Sequence, residues 1–271
     1  MSQTIPLFIS IPHSGEKIPQ QTPWLNQLTE EVLMSDVDRY VDVLYHPSLE
    51  GLQIPSQKTQ WHRYAVDLNR IPEDVDAESV EGELNKSGTH PDGYHWVMTK
   101  NEVRLMPKPM SQKTHAELTQ LIYEPFHAGL RNHYENFKKN GCKNIYHLDV
   151  HSMPSLGTKL HRDPGEYRAD IVVSDCLGKS CDPKFRDLVI AAYTIAGFKV
   201  GYNWPYMGGR VTEHYGHPAQ GQHAIQIELN RSLYMDEKTK QLLPKHHAIQ
   251  AKILQALTYI KSELPKFLLA E

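Results

Sequence analysis

Leu7-Phe-Ile-Ser-Ile-Pro-His13-Ser-Gly-Glu16 and Ile145-Tyr-His-Leu-Asp-Val-His151-Ser-Met-Pro154 are the two stretches whose reading decides the fold of this chain. Each is a run of branched and aromatic residues that stops at a turn signal. Each therefore predicts a strand with a histidine where the chain leaves the sheet. Open α/β sheets bind ligands at that edge. Neutral imidazole is the commonest protein metal ligand near pH 7, so His13 and His151 read as two halves of a zinc site. They lie 138 positions apart, and only the fold can bring them together. The chain carries 16 histidines, and a lone histidine after a strand is more often hydrogen-bonded scaffolding than a ligand. What singles out these two is their matching context: a strand end before each, a serine after each, and Asp149 just ahead of His151.

Working outward, further candidate strands are Ala169 to Ser174, Phe198 to Tyr202 and Ala224 to Leu229, while the two quoted runs give Leu7 to Ile11 and Ile145 to Asp149. Helical patterns cover Thr29 to Tyr45, Lys113 to Lys139, Pro183 to Ala196 and Pro244 to Leu264. Asp182 followed by Pro183 is an N-cap with proline in the first turn, and Pro125 is expected to kink or split the second helix. Strands alternating with helices argue for an α/β fold. Residues 72–110 are rich in acidic residues, Gly, Pro and His and lack periodicity, as expected of a binding loop, a lid or disorder. The 271 residues therefore read as one domain with an irregular insertion around 72–110.

A net charge of −3 and a pI near 6.6 give no electrostatic reason to expect nucleic acid or an anionic membrane as partner. No apolar run approaches the roughly 20 residues that span a bilayer. The start, Met1-Ser-Gln-Thr-Ile-Pro6, lacks signal-peptide character, and the three cysteines are sparse and odd in number. A reducing cytoplasm is the expectation.

A hydrolytic zinc takes three protein ligands and keeps a fourth position for water. With His13 and His151 in place, a carboxylate is the obvious third. Glu16 completes an H-x-x-E pattern, and Asp38, in Ser35-Asp-Val-Asp38-Arg, competes with it; spacing alone leaves both open. Helix capping is the plainer account of Asp36 and Asp38. Glu228 interrupts the apolar run Ala224-Ile-Gln-Ile-Glu228-Leu, and a carboxylate there is costly unless paired, bonded or catalytic, so it reads as general base. Arg63-Tyr-Ala-Val-Asp67-Leu-Asn69-Arg70 offers forked cations for an acidic substrate, or an internal Arg63–Asp67 pair followed by a turn. The glycine-rich stretch Gly201 to Gly216 lacks a phosphate-binding fingerprint, but it supplies Asn203, Arg210 and His214, a cation and a proton donor among them. No G-x-S-x-G elbow points to a serine nucleophile.

Together, Ile11-Pro-His13-Ser-Gly15, Asp36-Val-Asp38, Arg63 to Arg70, Asp149-Val-His151-Ser152, Asn203 to Gly209 and His214-Tyr-Gly216-His-Pro218 leading to Gln226-Ile-Glu228-Leu resemble the N-formylglutamate amidohydrolase family, in the family's order, from position 11 to about 235. The resemblance implies a mixed, largely parallel sheet flanked by helices, zinc-carboxypeptidase-like and of the phosphorylase/hydrolase-like kind. It implies one zinc ion per chain, held by His13, Asp38 and His151, with Glu16 in reserve. Glu228 would be the base and His214 a second catalytic group. Arg63, Asn69, Arg70, Asn203 and Arg210 fall in segments that resemble the substrate pocket. The implied reaction is hydrolysis of an N-formyl or other N-acyl amino acid, foremost N-formyl-L-glutamate to L-glutamate and formate, as in histidine degradation. A small acidic N-acyl amino acid is thus the expected partner. Two other readings use the same residues. One is a non-haem iron oxygenase, which usually takes closely spaced ligands on a β-barrel. The other is a metal- or ligand-binding protein that has no need of Glu228.

Overall fold

A computed structural model describes residues 5–84 and 86–268. The elements in chain order are β1 (Leu7–Ile11), α1 (Glu30–Leu33), α2 (Val41–Leu52), β2 (Ser56–Lys58), α3 (Gln112–Leu118), α4 (Glu124–Lys139), β3 (Ile145–Met153), β4 (Ile171–Ser174), α5 (Pro183–Ile195), β5 (Val200–Tyr202), α6 (Arg210–Tyr215), β6 (Gln222–Asn230) and α7 (His246–Leu268). The strands form one mixed sheet in the order β2-β1-β3-β6-β4-β5. All neighbouring pairs are parallel except β4 against β6.

The two-residue period of a strand sorts the chemistry of this sheet. In β3, Tyr146, Leu148 and Val150 join Ile225, Ile227 and Leu229 of β6 in a core covered by α2, α5 and α7. The alternate residues His147, Asp149 and His151 of β3, and Gln226 and Glu228 of β6, lie on the other face, all buried. There a second core gathers Phe8, side chains of α4 and residues of the 94–110 segment. Five fully buried branched residues on one face of two strands, Leu148, Val150, Ile225, Ile227 and Leu229, represent roughly 10 kcal/mol of transfer free energy, at about 1.5–3 kcal/mol each, before the entropy of ordering them. That apolar face determines which side of the sheet the polar residues must occupy.

Several expected boundaries shift. β3 runs on to Met153 because its whole length pairs with β6. The helix expected over 29–45 is broken: α1 is a single turn capped by Thr29, and α2 begins only after Tyr40, which holds a left-handed φ of 69°. Between them the Asp38 amide donates to the His13 carbonyl at 3.0 Å. Pro47 lies inside α2, and the Val43 carbonyl that it leaves without a helical donor accepts from Gln250 of α7 at 3.0 Å. The helix expected over 113–139 is split near Pro125: α3 passes into a π-helical turn at Thr119–Tyr123, and α4 begins with Pro125 in its first turn. Asp182 caps α5 as read, accepting from the Lys184 amide at 2.7 Å. β2 and α6 escape the sequence reading: one is a three-residue polar strand, the other six residues long in a glycine-rich stretch. Among the described residues, the 72–110 segment forms no named helix or strand, only bridges such as Asp92↔Trp96 and Met98↔Arg104, yet it buries Tyr94, Trp96, Val97 and Met106.

Candidate active site

A cavity of about 360 Å³ opens at the carboxyl ends of β1, β3 and β6. Its floor is set by strand register. His151 of β3 lies directly opposite Glu228 of β6, and the chain leaving β1 carries His13 to the same edge. The bond between the Asp38 amide and the His13 carbonyl brings in the third member. His13, Asp38 and His151 are all buried, and their potential ligand atoms lie within 4.8 Å of one another. Nδ1 of His151 is 3.1 Å and Nδ1 of His13 3.5 Å from the same oxygen, Asp38 Oδ2.

The far side of each ring is held by a carboxylate. His13 Nε2 meets Asp67 Oδ1 at 2.8 Å, and His151 Nε2 meets Asp149 Oδ2 at 2.8 Å. A carboxylate only accepts, so both Nε2 atoms carry a proton and both Nδ1 atoms face Asp38, where each ring, once neutral, could offer its Nδ1 lone pair to a metal ion. Nδ1 of His13 is buried without a hydrogen-bond partner. Two imidazoles and one carboxylate, each imidazole braced by a second carboxylate, are the donor set of a catalytic zinc site. Ligand bonds of about 2.0–2.2 Å place tetrahedral neighbours roughly 3.4 Å apart, close to the Asp38 separations. The residues fit a metal ion.

Opposed charges set the protonation of this centre. Burial works against the Asp38 carboxylate, but the His13 imidazole 3.5 Å away, the hydrogen bond to His151 and the charge of Arg63 hold it well below the usual range. Burial likewise opposes ionisation of Asp67 and Asp149; His13 and Arg63 lower the first, His151 the second. His151 is raised well above an ordinary histidine, burial being outweighed by Asp149, Asp38 and Glu228. Glu228 moves the other way: burial, with Asp38 adding to it, pushes it up to about 7 against the pull of His151 and Arg231. Its Oε1 accepts from Gln226 Nε2 at 2.8 Å. A buried carboxyl poised near neutrality beside a cavity can take up and release a proton.

The candidates from sequence divide here. Glu16 is turned out to Arg39, at 2.8 Å, and is partly exposed. Gly15 packs so closely on the Gln60–Trp61 backbone that an added Cβ would lie 2.4 Å from the Gln60 carbonyl carbon, and Lys17 bridges to Trp61. The chain after His13 is thus held against the Gln60–Trp61 backbone, and Glu16 is paired with Arg39 rather than with the group around His13. Arg63 lines the cavity but forms the internal pair, donating to Asp67 Oδ2 at 2.9 Å and to the Asp36 carbonyl at 2.8 Å. Asn69 and Arg70 also line it; Asn69 Oδ1 accepts from the Val211 amide at 2.7 Å, and Arg70 donates to Asp92.

Three other candidates do not line this cavity. Asn203 is spent on a turn, with a left-handed φ of 53° and its amide bonded to Asp175 on both sides. Arg210 lies outside the cavity, half-exposed and facing Glu213 at 3.4 Å. His214 is exposed on α6, against the edge of Tyr215, and does not line the cavity. The glycine-rich stretch gave no spacing from which the short α6 could be foreseen, and α6 carries both Arg210 and His214 outward.

The sequence reading also missed residues. Arg231 is buried and donates to Asp38 Oδ1 at 3.1 Å and to Ser152 Oγ at 3.0 Å. Its signal was a charged residue closing the apolar run three positions after Glu228. Asp67, visible only as a partner for Arg63, also braces His13 and accepts from Trp96 Nε1 at 2.8 Å. Ser10 joins the Asp149 carboxylate to His147, whose other nitrogen meets Tyr134 at 3.1 Å. This polar chain, buried beneath His151, follows from the register Ser10↔Asp149.

A mixed α/β sheet with a buried pair of imidazoles and a carboxylate at its carboxyl edge defines a fold of the hydrolase class with a candidate metal site. A sequence model of the N-formylglutamate amidohydrolase family matches residues 5–235, and the chain belongs to that family. It is 30% identical to an N-formylglutamate deformylase of Pseudomonas aeruginosa over 98% of this chain and 93% of that protein. A Pseudomonas putida protein of the same description is 28% identical over 93% of this chain and 92% of its own length. The crystal structure of an N-formylglutamate amidohydrolase from Ralstonia eutropha JMP134 superposes with a TM-score of 0.88 at 24% identity, covering 98% of this chain and 96% of that one.

Proposed function

We propose that this protein is a zinc-dependent deformylase that converts N-formyl-L-glutamate to L-glutamate and formate. The observation that carries the reading is the convergence of His13, Asp38 and His151, with Nδ1 of His13 buried and unpartnered and Glu228 directly across the strand pair. The deformylase relatives supply the substrate. When bound, zinc would polarise the formyl carbonyl and lower the pKa of a water beside it.

The chain's own residues do the rest. Asp67 and Asp149 fix the two imidazole rings, so the donor set needs little rearrangement. Glu228 accepts the proton of the attacking water at its carboxylate and hands it to the departing nitrogen, and Gln226 restricts the rotation of that carboxylate. Arg63, whose Nε is buried and without a partner, is the cation that faces developing negative charge on the formyl oxygen. Arg70, tied to Asp92, stands in the cavity wall for a substrate carboxylate.

The test is formate release from N-formyl-L-glutamate after chelation and again after zinc is restored, beside N-acetyl-L-glutamate and N-formyl-L-methionine. Zinc-dependent turnover of the first compound is expected. Turnover unaffected by chelation, or absent with zinc restored, would defeat the reading.

A further inference from the structure

Charge along the cavity wall is unevenly matched. Arg63 is committed to Asp67 and Arg231 to Asp38. Asp92 is shared by two cations, Arg70 at 3.2 Å and Lys100 at 2.7 Å, so that group keeps one excess positive charge. Arg162 lines the same cavity from the segment between β3 and β4, and it is exposed. Among the described residues it makes no hydrogen bond, ion pair or ring contact. The adjacent Asp163 does not neutralise it, because both of its oxygens are held by Arg168, at 2.7 and 2.8 Å. His161 adds no charge: burial and the nearby Arg168 and Lys100 hold it down to about 4, so it is neutral at pH 7. Asp36, which also lines the cavity, is met by the Ser35 and Tyr64 hydroxyls and the Lys100 amide rather than by a cation, so what the wall offers is donors to spare, on Arg162 and on the two cations that share Asp92, and a dicarboxylate presents two groups to take them up.

Their placement separates the two carboxylates of the substrate. In N-formylglutamate one carboxylate is attached to the carbon bearing the amide nitrogen, and the other lies two methylenes farther out. Arg70 is near the centre: it lines the cavity and its amide donates to the carbonyl of Asp67, the residue that braces His13, at 3.1 Å. Arg162 stands on the solvent side. We propose that Arg162 is a specificity-determining residue that forks onto the side-chain carboxylate of the substrate, while Arg70 and Lys100 hold the carboxylate next to the amide. A guanidinium presents two parallel donors to such a group, and an unpaired one gives up no existing bond to do so. This assignment rests on the deformylase reading above.

The experiment compares N-formyl-L-glutamate with N-formyl-L-glutamine, which lacks only the outer charge, on the zinc-loaded enzyme and its Arg162→Gln and Arg162→Lys variants. Arg162 is exposed and unpaired, so both variants should fold. For Arg162→Gln, KM for N-formyl-L-glutamate should rise about 10- to 100-fold, as for loss of a charged hydrogen bond, with kcat within about threefold. KM for N-formyl-L-glutamine should not move, and Arg162→Lys should keep part of the discrimination. An unchanged KM for the diacid, or an equal rise for both substrates, overturns the assignment. If the unaltered enzyme does not turn over N-formyl-L-glutamate, the deformylase reading falls and Arg162 is tested separately by calorimetric binding of glutarate and butyrate. Preference for glutarate, lost in Arg162→Gln, supports its role; the same preference in both proteins overturns it.

Discussion

Replacing Glu228 by Gln should disable the enzyme and, in the metal-free protein, make it more stable. The substitution preserves shape, and the amide oxygen can still accept from Gln226. What it removes is a proton acceptor and a buried charge. General-base catalysis contributes about 10²–10⁴-fold, and kcat should fall by that factor while zinc stays bound. The stability effect has a definite sign. The carboxyl is raised from 4.5 to about 7 on folding, chiefly by burial, so the folded state holds its proton more tightly than the unfolded chain does. Stability is therefore unaffected by this group below pH 4.5 and declines as pH rises toward 7. At roughly 1.4 kcal/mol for each pH unit in that window, the ionised group costs the folded state about 3 kcal/mol above pH 7. Urea unfolding of metal-free Glu228→Gln should match the parent at pH 4.5 and exceed it by about that amount at pH 8. A dication beside the carboxyl favours its charged form, so the acid limb of kcat in the zinc enzyme should fall at or below about pH 7. Equal stability at pH 8 together with undiminished kcat would refute both the buried-charge argument and the base assignment.

Other expectations follow from the same centre. Asp149→Asn should weaken zinc binding by about 10- to 100-fold, measured by competition with a chromogenic chelator, because it removes the acceptor that orients His151. Since the metal-free protein holds His151 protonated well above the ordinary range, zinc affinity should increase close to tenfold for each pH unit between 6 and 7; a flat profile over that range would count against a His151 ligand. Glu16→Gln and His214→Gln should each leave zinc affinity and kcat/KM within about twofold, since both side chains lie away from the centre. A collapse of either quantity would restore those residues to the site. Asp38→Asn should lower zinc affinity at least as far as Asp149→Asn and should also destabilise the chain by about 3–5 kcal/mol in thermal or urea unfolding, because Arg231 is left buried beside a neutral amide.

Local rules of the chain determined a large share of this protein. Apolar alternation identified β1, β3 and β6 and, with it, the face on which His147, Asp149, His151 and Glu228 must lie, because a strand offers only two sides. The Asp182–Pro183 signal marked the start of α5 for an equally local reason, an orphan amide satisfied two residues away. Only tertiary structure decided between Glu16 and Asp38. Spacing favoured neither, and the outcome depended on Gly15 meeting the backbone of Gln60 and Trp61 and on the Asp38 amide meeting the His13 carbonyl. The same holds for Arg63, Arg231 and Arg162. Their identity as cations is written in the chain, but which of them is neutralised is not: Arg63 takes Asp67 four positions away, Arg231 takes Asp38 from a segment 193 positions distant, and Arg162 takes no carboxylate among the described residues. Local periodicity acts over a few residues, whereas burial and charge pairing act through space, and the candidate site at the edge of this sheet is assembled by the second.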